Sequence, residues 1–279
     1  MKRPCRLGGD ATPRETRPTF GGAPGTRSGA CPPRARAGAW AASPREAVTA
    51  LLAAVLLAPV AAHAQDDLAA RVAAAGERLA ALDTRATRVA DVNEIENLQR
   101  SYGYYVDKML WEHVLDLFTE DATLEIGPSG VYAGKDSIRR YLYSLSDGRE
   151  GPIEGVLYNH MQLQPVVTVA EDGQTAKGRW RAWILTGVSG SGSGGNWGEG
   201  PYENEYVKED GVWRIGKLHW YATYYVPYEG GWLESTTEAV RAYSEGRGVE
   251  PDRPPSEPHE PYPAAFVPPF HYPNPVSGE

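Results

Sequence analysis

The chain has 279 residues, 28 Lys and Arg against 36 Asp and Glu, a formal charge of −8 and a mean hydropathy of −0.46. Both cysteines, Cys5 and Cys31, lie in the first 64 positions with nine of the basic residues, so from Gln65 onward the charge is −14 and no cysteine remains. So acidic a body excludes nucleic acid and anionic membrane surfaces as partners. The missing thiols exclude a disulfide framework, a thiolate nucleophile and a cysteine metal site.

Residues 1–45 are rich in Arg, Pro and Gly, lack a hydrophobic period, and read as sequence upstream of the true translation start. Ala47–Ala62 is an apolar run with Arg45 before it and Ala62-His63-Ala64 at its end. That order predicts a secretory signal peptide cleaved after Ala64, hence a periplasmic or secreted protein with no membrane attachment after cleavage. The run is too short and too rich in alanine for a good membrane span.

Residues 65–90 read as a helix. Leu68, Val72, Ala75, Leu79, Leu82, Ala86 and Val89 step by four and three, a heptad pattern. Such a stripe either lies on the chain's own domain or pairs as a short coiled coil. Asp91, with Glu94 three residues on, predicts a fresh helix start and therefore a break at residue 91. Ile95, Leu98, Tyr102, Tyr105 and Val106 recur at helical spacing up to Asp107, and Trp111, Val114, Leu115 and Phe118 continue an apolar helical face. Ala122–Ile126 alternates as a strand, and Ile138, Tyr141, Leu142 and Leu145 mark another short helix.

Beyond residue 155 the texture is that of strands: 156–169 with Pro165 at an edge or bulge, 175–188, 202–208 and 212–226. Asp172-Gly173 and Asp210-Gly211 are the hairpin turns, and Ser189–Gly198 is a loop. A last helix spans about 235–243, and the tail from Pro251 is rich in proline. Helices first and then a meander of antiparallel strands is an α+β order. The expected architecture is a cone-shaped α+β barrel, a curved antiparallel sheet wrapped over the N-terminal helices.

Residues 91–228 carry Tyr104-Tyr105-Val106-Asp107-Lys108, Leu117-Phe118-Thr119-Glu120-Asp121-Ala122, Tyr132-Ala133-Gly134-Lys135, and Asn204-Glu205-Tyr206 ahead of Asp210-Gly211-Val212-Trp213-Arg214. This texture resembles the SnoaL-like branch of the nuclear transport factor 2-like superfamily, in particular its hexachlorocyclohexane dehydrochlorinases and scytalone dehydratases. The resemblance implies a cofactor-free lyase, assembled as a trimer or dimer. It also implies a His–Asp pair: the family's helix-end aspartate matches Asp107, and its strand histidine matches His160. Where the dehydrochlorinases have a pocket lysine, this chain has Tyr102.

Imidazole titrates near neutrality and suits proton abstraction, and a carboxylate on its other nitrogen would fix the tautomer. Catalysis is therefore expected of His160 and Asp107. Tyr102, Trp111, Trp180, Asn204 and His219 are the expected substrate contacts, Tyr102 as an oxyanion donor and Trp180 as an aromatic wall. His219 would look into the cone if it shares an inward face with Tyr221, Thr223 and Tyr225. No metal-ligand spacing, nucleophile elbow or phosphate loop occurs. The expected function is an exported, cofactor-independent lyase acting on a small hydrophobic or aromatic molecule. The alternatives are a non-catalytic binding or accessory protein and an isomerase on the same scaffold.

Overall fold

The computed structural model describes residues 44–190, 194–244 and 248–279. Two units divide the chain, residues 1–67 and 68–279. In the first, the described residues are helical, and residues 1–43, within the stretch read as upstream of the translation start, lie outside the described residues. None of the described helices is long and apolar enough to cross a membrane. Apart from the first part of helix α1, the elements below all belong to the second unit.

Helix α1 is Pro44–Asp107, so the helix start predicted at Asp91 does not exist. Asp91 is 4 % exposed, and its carboxylate has other partners: it accepts from Lys208 Nζ and from the Trp213 indole at 2.9 Å. The side chain that looked like a cap is a tertiary anchor joining the helix to the sheet. Every described residue from 65 to 90 is exposed, so this part of the helix does not lie on its own domain. Burial begins at Asp91 and continues through Ile95, Gln99, Tyr102 and Val106.

Helix α2 (Trp111–Asp116) leads into strand β1 (Phe118–Ile126), which pairs with the short β2 (Val131–Ala133) ahead of α3 (Lys135–Ser144). Ile138, Tyr141 and Leu142 make the buried face of α3, as their spacing predicts. Strands β3 (Val156–Val169), β4 (Thr175–Val188), β5 (Gly195–Glu209) and β6 (Val212–Trp220) form a meander, followed by β7 (Tyr224–Pro227) and α4 (Thr237–Ser244). The sheet order is β2-β1-β6-β5-β4-β3, with β7 on β5 and β1 parallel to β6. The other pairs are antiparallel. This is the curved, unclosed sheet of a cone-shaped α+β fold. Pro165 sits where it was expected, on the edge strand β3, at a register shift between Leu163 and Val166.

Three expectations about strands fail. Phe118, read as part of a helical face, opens β1, which starts four residues before the predicted Ala122. The glycine-rich stretch read as a loop contributes Gly195–Gly198 to β5, while 191–193 lie outside the described residues. The strand read as 212–226 is two strands, because Tyr221–Thr223 crosses Gly200. A Cβ on Gly200 would stand 2.1 Å from the Tyr221 carbonyl oxygen, so only glycine admits the crossing. There Tyr221 N–H and Thr223 N–H donate to the carbonyls of Pro201 and Glu199 at 2.8 and 2.7 Å. The chain then resumes as β7 on the other half of β5.

Replacing Asp91 tests the anchor. Asp91→Ala leaves the Lys208 ammonium and the Trp213 N–H without their acceptor. It is expected to lower unfolding free energy by about 2 kcal/mol, read as a lower urea midpoint with an unchanged slope.

Candidate active site

Gly103 determines where β3 meets α1. A Cβ there would lie 2.5 Å from the His160 carbonyl oxygen, so the strand crosses the helix in direct backbone contact. One turn later, the helix ends at Asp107, whose Oδ1 accepts the His160 backbone N–H at 2.6 Å. The His160 ring lies close to the same oxygen, with Nδ1 3.6 Å from it. That is beyond hydrogen-bond reach, and Nδ1 is buried with no partner. Asp107 thus holds the strand through its backbone and faces the imidazole with its charge.

His160 lies between two spaces. On one side is a polar recess of about 270 Å³ lined by Arg100, Tyr104, Asp107 and Gln162. On the other is the interior of the cone, where Tyr102, Tyr141, Tyr158, Tyr202, Trp220 and Tyr243 surround a cavity of only about 30 Å³. Tyr158 stacks on the His160 ring at 5.8 Å and 11°. Tyr102 meets Tyr202 edge to face at 6.4 Å. Burial, with Tyr202 and Tyr141 close by, pushes the Tyr102 phenol well above the usual tyrosine range, so it stays protonated. From α4, Tyr243 stacks on Tyr225 and closes the cavity.

Of the residues predicted to bind substrate, only Tyr102 reaches this interior. Trp111 is fully buried elsewhere, donating from Nε1 to Ser146 Oγ at 2.9 Å and to the Arg149 carbonyl at 3.1 Å. Trp180 and Asn204 face inward but belong to a closed polar network. Trp180 Nε1 donates to Tyr206 Oη at 2.8 Å, which donates to Gln99 Oε1 at 2.9 Å. Asn204 Nδ2 donates to the same Gln99 oxygen at 3.0 Å, and its Oδ1 accepts the His219 N–H at 3.1 Å. Gln99 Nε2 then donates to Gln162 Oε1 at 2.9 Å, and Gln162 Nε2 to the His160 carbonyl at 3.2 Å. Gln99, Gln162 and Gly103 thus hold the site, although sequence reasoning passed over them. The one available signal was a polar residue, Gln99, on the apolar stripe of the helix.

His219 requires a correction. The break after Trp220 separates it from Tyr225, which joins the core, whereas His219 lies on the outer face of the sheet beside Tyr221, at 3.9 Å between ring centroids. The C-terminal tail covers this face. Ser256 donates to Glu125 through N–H and Oγ, Tyr221 Oη donates to Glu257, and His259 Nε2 contacts the Ala222 carbonyl. Further along, His271 and Arg179 both meet Glu203, and Arg179 lies over Phe270. The tail is a strap on the back of the sheet.

Burial, with Lys217 and His259 adding positive charge, holds the His219 imidazole down to about 3, and His259 is lowered chiefly by burial. A histidine whose folded pKa is depressed costs nothing while the unfolded chain is also neutral, above about pH 6.5. Below that pH the unfolded form gains protons that the native form refuses, and stability falls until the folded pKa is reached. Chemical unfolding from pH 7 to 4 should therefore lose stability at up to about 1.4 kcal/mol per pH unit for each such histidine. His219→Gln should flatten the slope.

The model of the SnoaL-like domain family matches residues 87–219. Among curated proteins nothing matches. Among solved structures, the chain is similar to one provisionally described as a scytalone dehydratase from Novosphingobium aromaticivorans. That match has 19 % identity over 52 % of this chain and 91 % of the other, with a TM-score of 0.46. A hexachlorocyclohexane dehydrochlorinase of Novosphingobium barchaimii matches at 20 % identity over 52 % and 95 %, TM-score 0.45. A Mycobacterium tuberculosis protein of unknown function matches at 20 % over 61 % and 95 %, TM-score 0.46.

The crossing at Gly103 can be tested directly. Helix propensity alone would make Gly103→Ala stabilising by about 1 kcal/mol. The clash with the His160 carbonyl reverses the sign, with an expected net loss of about 1–2 kcal/mol, measured by urea unfolding.

Proposed function

We propose that the SnoaL-like domain carried by this chain over residues 87–219 is the body of a cofactor-independent lyase of the dehydratase or dehydrohalogenase kind. The observation that carries this reading is the His160 ring, held between a carboxylate and a cavity walled by aromatic side chains. With Nδ1 toward Asp107, Nε2 is the nitrogen left to take a proton from carbon. The Asp107 charge favours the imidazolium that forms, and the 3.6 Å gap closes to a hydrogen bond as the ring gains its proton. The electron pair of the broken C–H bond becomes the new double bond, and the group on the neighbouring carbon departs. If that group is hydroxyl, Tyr102, kept protonated by burial, holds it with a hydrogen bond, and the His160 imidazolium gives it the proton just taken from carbon so that it departs as water. If it is halide, it leaves as the anion and His160 gives its proton to water.

The cavity of about 30 Å³ takes one water, so substrate must displace something. The Tyr243 ring is the occupant best suited to leave. It comes from the short α4 and stacks within an aromatic shell, so its own size and chemistry describe the seat: one small, flat, aromatic or apolar ring. A second reading, a binding or accessory protein without turnover, draws support from the same filled cavity and from the absence of a direct Asp107–His160 ring bond. The apolar run before Ala64 supports export of either form.

His160→Ala and Tyr243→Ala, assayed together on small aromatic alcohols and halides, separate the readings. The lyase requires His160→Ala to lose about 10²–10⁴-fold in turnover, while Tyr243→Ala admits ligand more readily. If Tyr243→Ala binds small phenols and the wild type turns over none of the panel, the binding protein is the correct reading. N-terminal sequencing of protein recovered from periplasm or medium, starting at Gln65, tests export.

A further inference from the structure

The exposed segment of α1 carries a second feature, independent of the catalytic reading. Leu68, Val72, Leu79, Leu82 and Val89 are between 57 and 71 % exposed, although they form one stripe at heptad spacing. Of the two uses open to such a stripe, the structure removes one, since no described residue from 65 to 90 is buried against the chain's own domain. Near the base of the segment, Leu82, Ala86, Val89 and Asn93 border a shallow, mostly apolar hollow on the surface of the helix itself.

We propose that this segment pairs in parallel with the same segment of a second copy of the chain. Placing Val72, Leu79 and Ala86 at the a positions puts Leu68, Ala75, Leu82 and Val89 at d. The flank before each a position is then Arg71, Arg78 and Arg85, and the flank after d carries Asp83 as its charged residue. In a parallel pair, the residue before a on one helix faces the residue after d five positions on in the other. Arg78 thus faces Asp83 of the second copy, and the reciprocal pair forms by symmetry. An antiparallel pair would instead bring the three arginines of one copy against those of the other. Asn93 falls on the next a position and is exposed. A polar residue there favours two strands in register. From Leu68 to Asn93 the seam is about 39 Å long, and its alanines make it a modest one, so the expected dimer dissociates on dilution.

Sedimentation of the full chain across a concentration series tests this. Because the side chains are solvent-exposed in the protomer, substitution there leaves the domain folded, with circular dichroism as the control. The wild type is expected to sediment as two protomers at high concentration, and Leu79→Lys with Leu82→Lys as one. Arg78→Asp and Asp83→Arg alone should each raise the dissociation constant several-fold, and the two together should restore it. A wild type that is monomeric throughout, or a dimer indifferent to the two lysines, overturns the proposal. Failure of the double charge reversal to restore association overturns the parallel arrangement, and a three-protomer mass overturns the two-stranded form.

Discussion

The backbone contact of β3 with α1 at Gly103 is the constraint on which the rest of the site depends. A helix and a strand normally keep a side chain between them, and here there is none. The strand therefore approaches near enough for Asp107, at the end of the helix, to take the His160 N–H directly. The same carboxylate that holds the strand also faces the imidazole, and the ring inherits its place from a main-chain bond. This differs from a histidine oriented only through its ring, because rotating the imidazole does not release the strand.

Close approach of backbones leaves polar groups to be satisfied in a confined space. The chain from Trp180 through Tyr206, Gln99 and Gln162 to the His160 carbonyl meets that need, with Asn204 closing it toward β6. One buried helix glutamine accepts from two partners and donates to a third, linking α1 to β3 and β5, and through Tyr206 to Trp180 on β4. In an interior that is otherwise aromatic, such a network fixes register, since any slip leaves several amides unpaired.

The sequence was most legible where periodicity is enforced by burial on one face. The strict alternation along β4 and the stripe Ile95–Val106 appear in the structure as they read. The hairpin glycines Gly173 and Gly211 have the positive φ their turns require. Legibility failed where one residue type serves two ends. Asp91 has the look of a cap and the role of an ion-pair partner, and the difference lies in Lys208 and Trp213, more than a hundred residues away. The face of His219 could not be read from that of Tyr225, because a three-residue crossing reverses strand parity between them, and the cause, close packing over Gly200, is invisible without the neighbouring strand. The pairing of Asp107 with His160 was suggested by resemblance; neither residue's spacing could have supplied the 3.6 Å between them.

The unclosed sheet leaves β3 with one side unpaired, and a long, regular edge of this kind is a template for joining other chains. Pro165 and the positive φ of Gln164 interrupt it. Proline offers no N–H to an incoming strand, and the register shift divides the edge into Val156–Leu163 and Val166–Val169. An incoming strand therefore meets two shorter ladders in place of one continuous edge, and on the first of them the His160 N–H is already taken by Asp107.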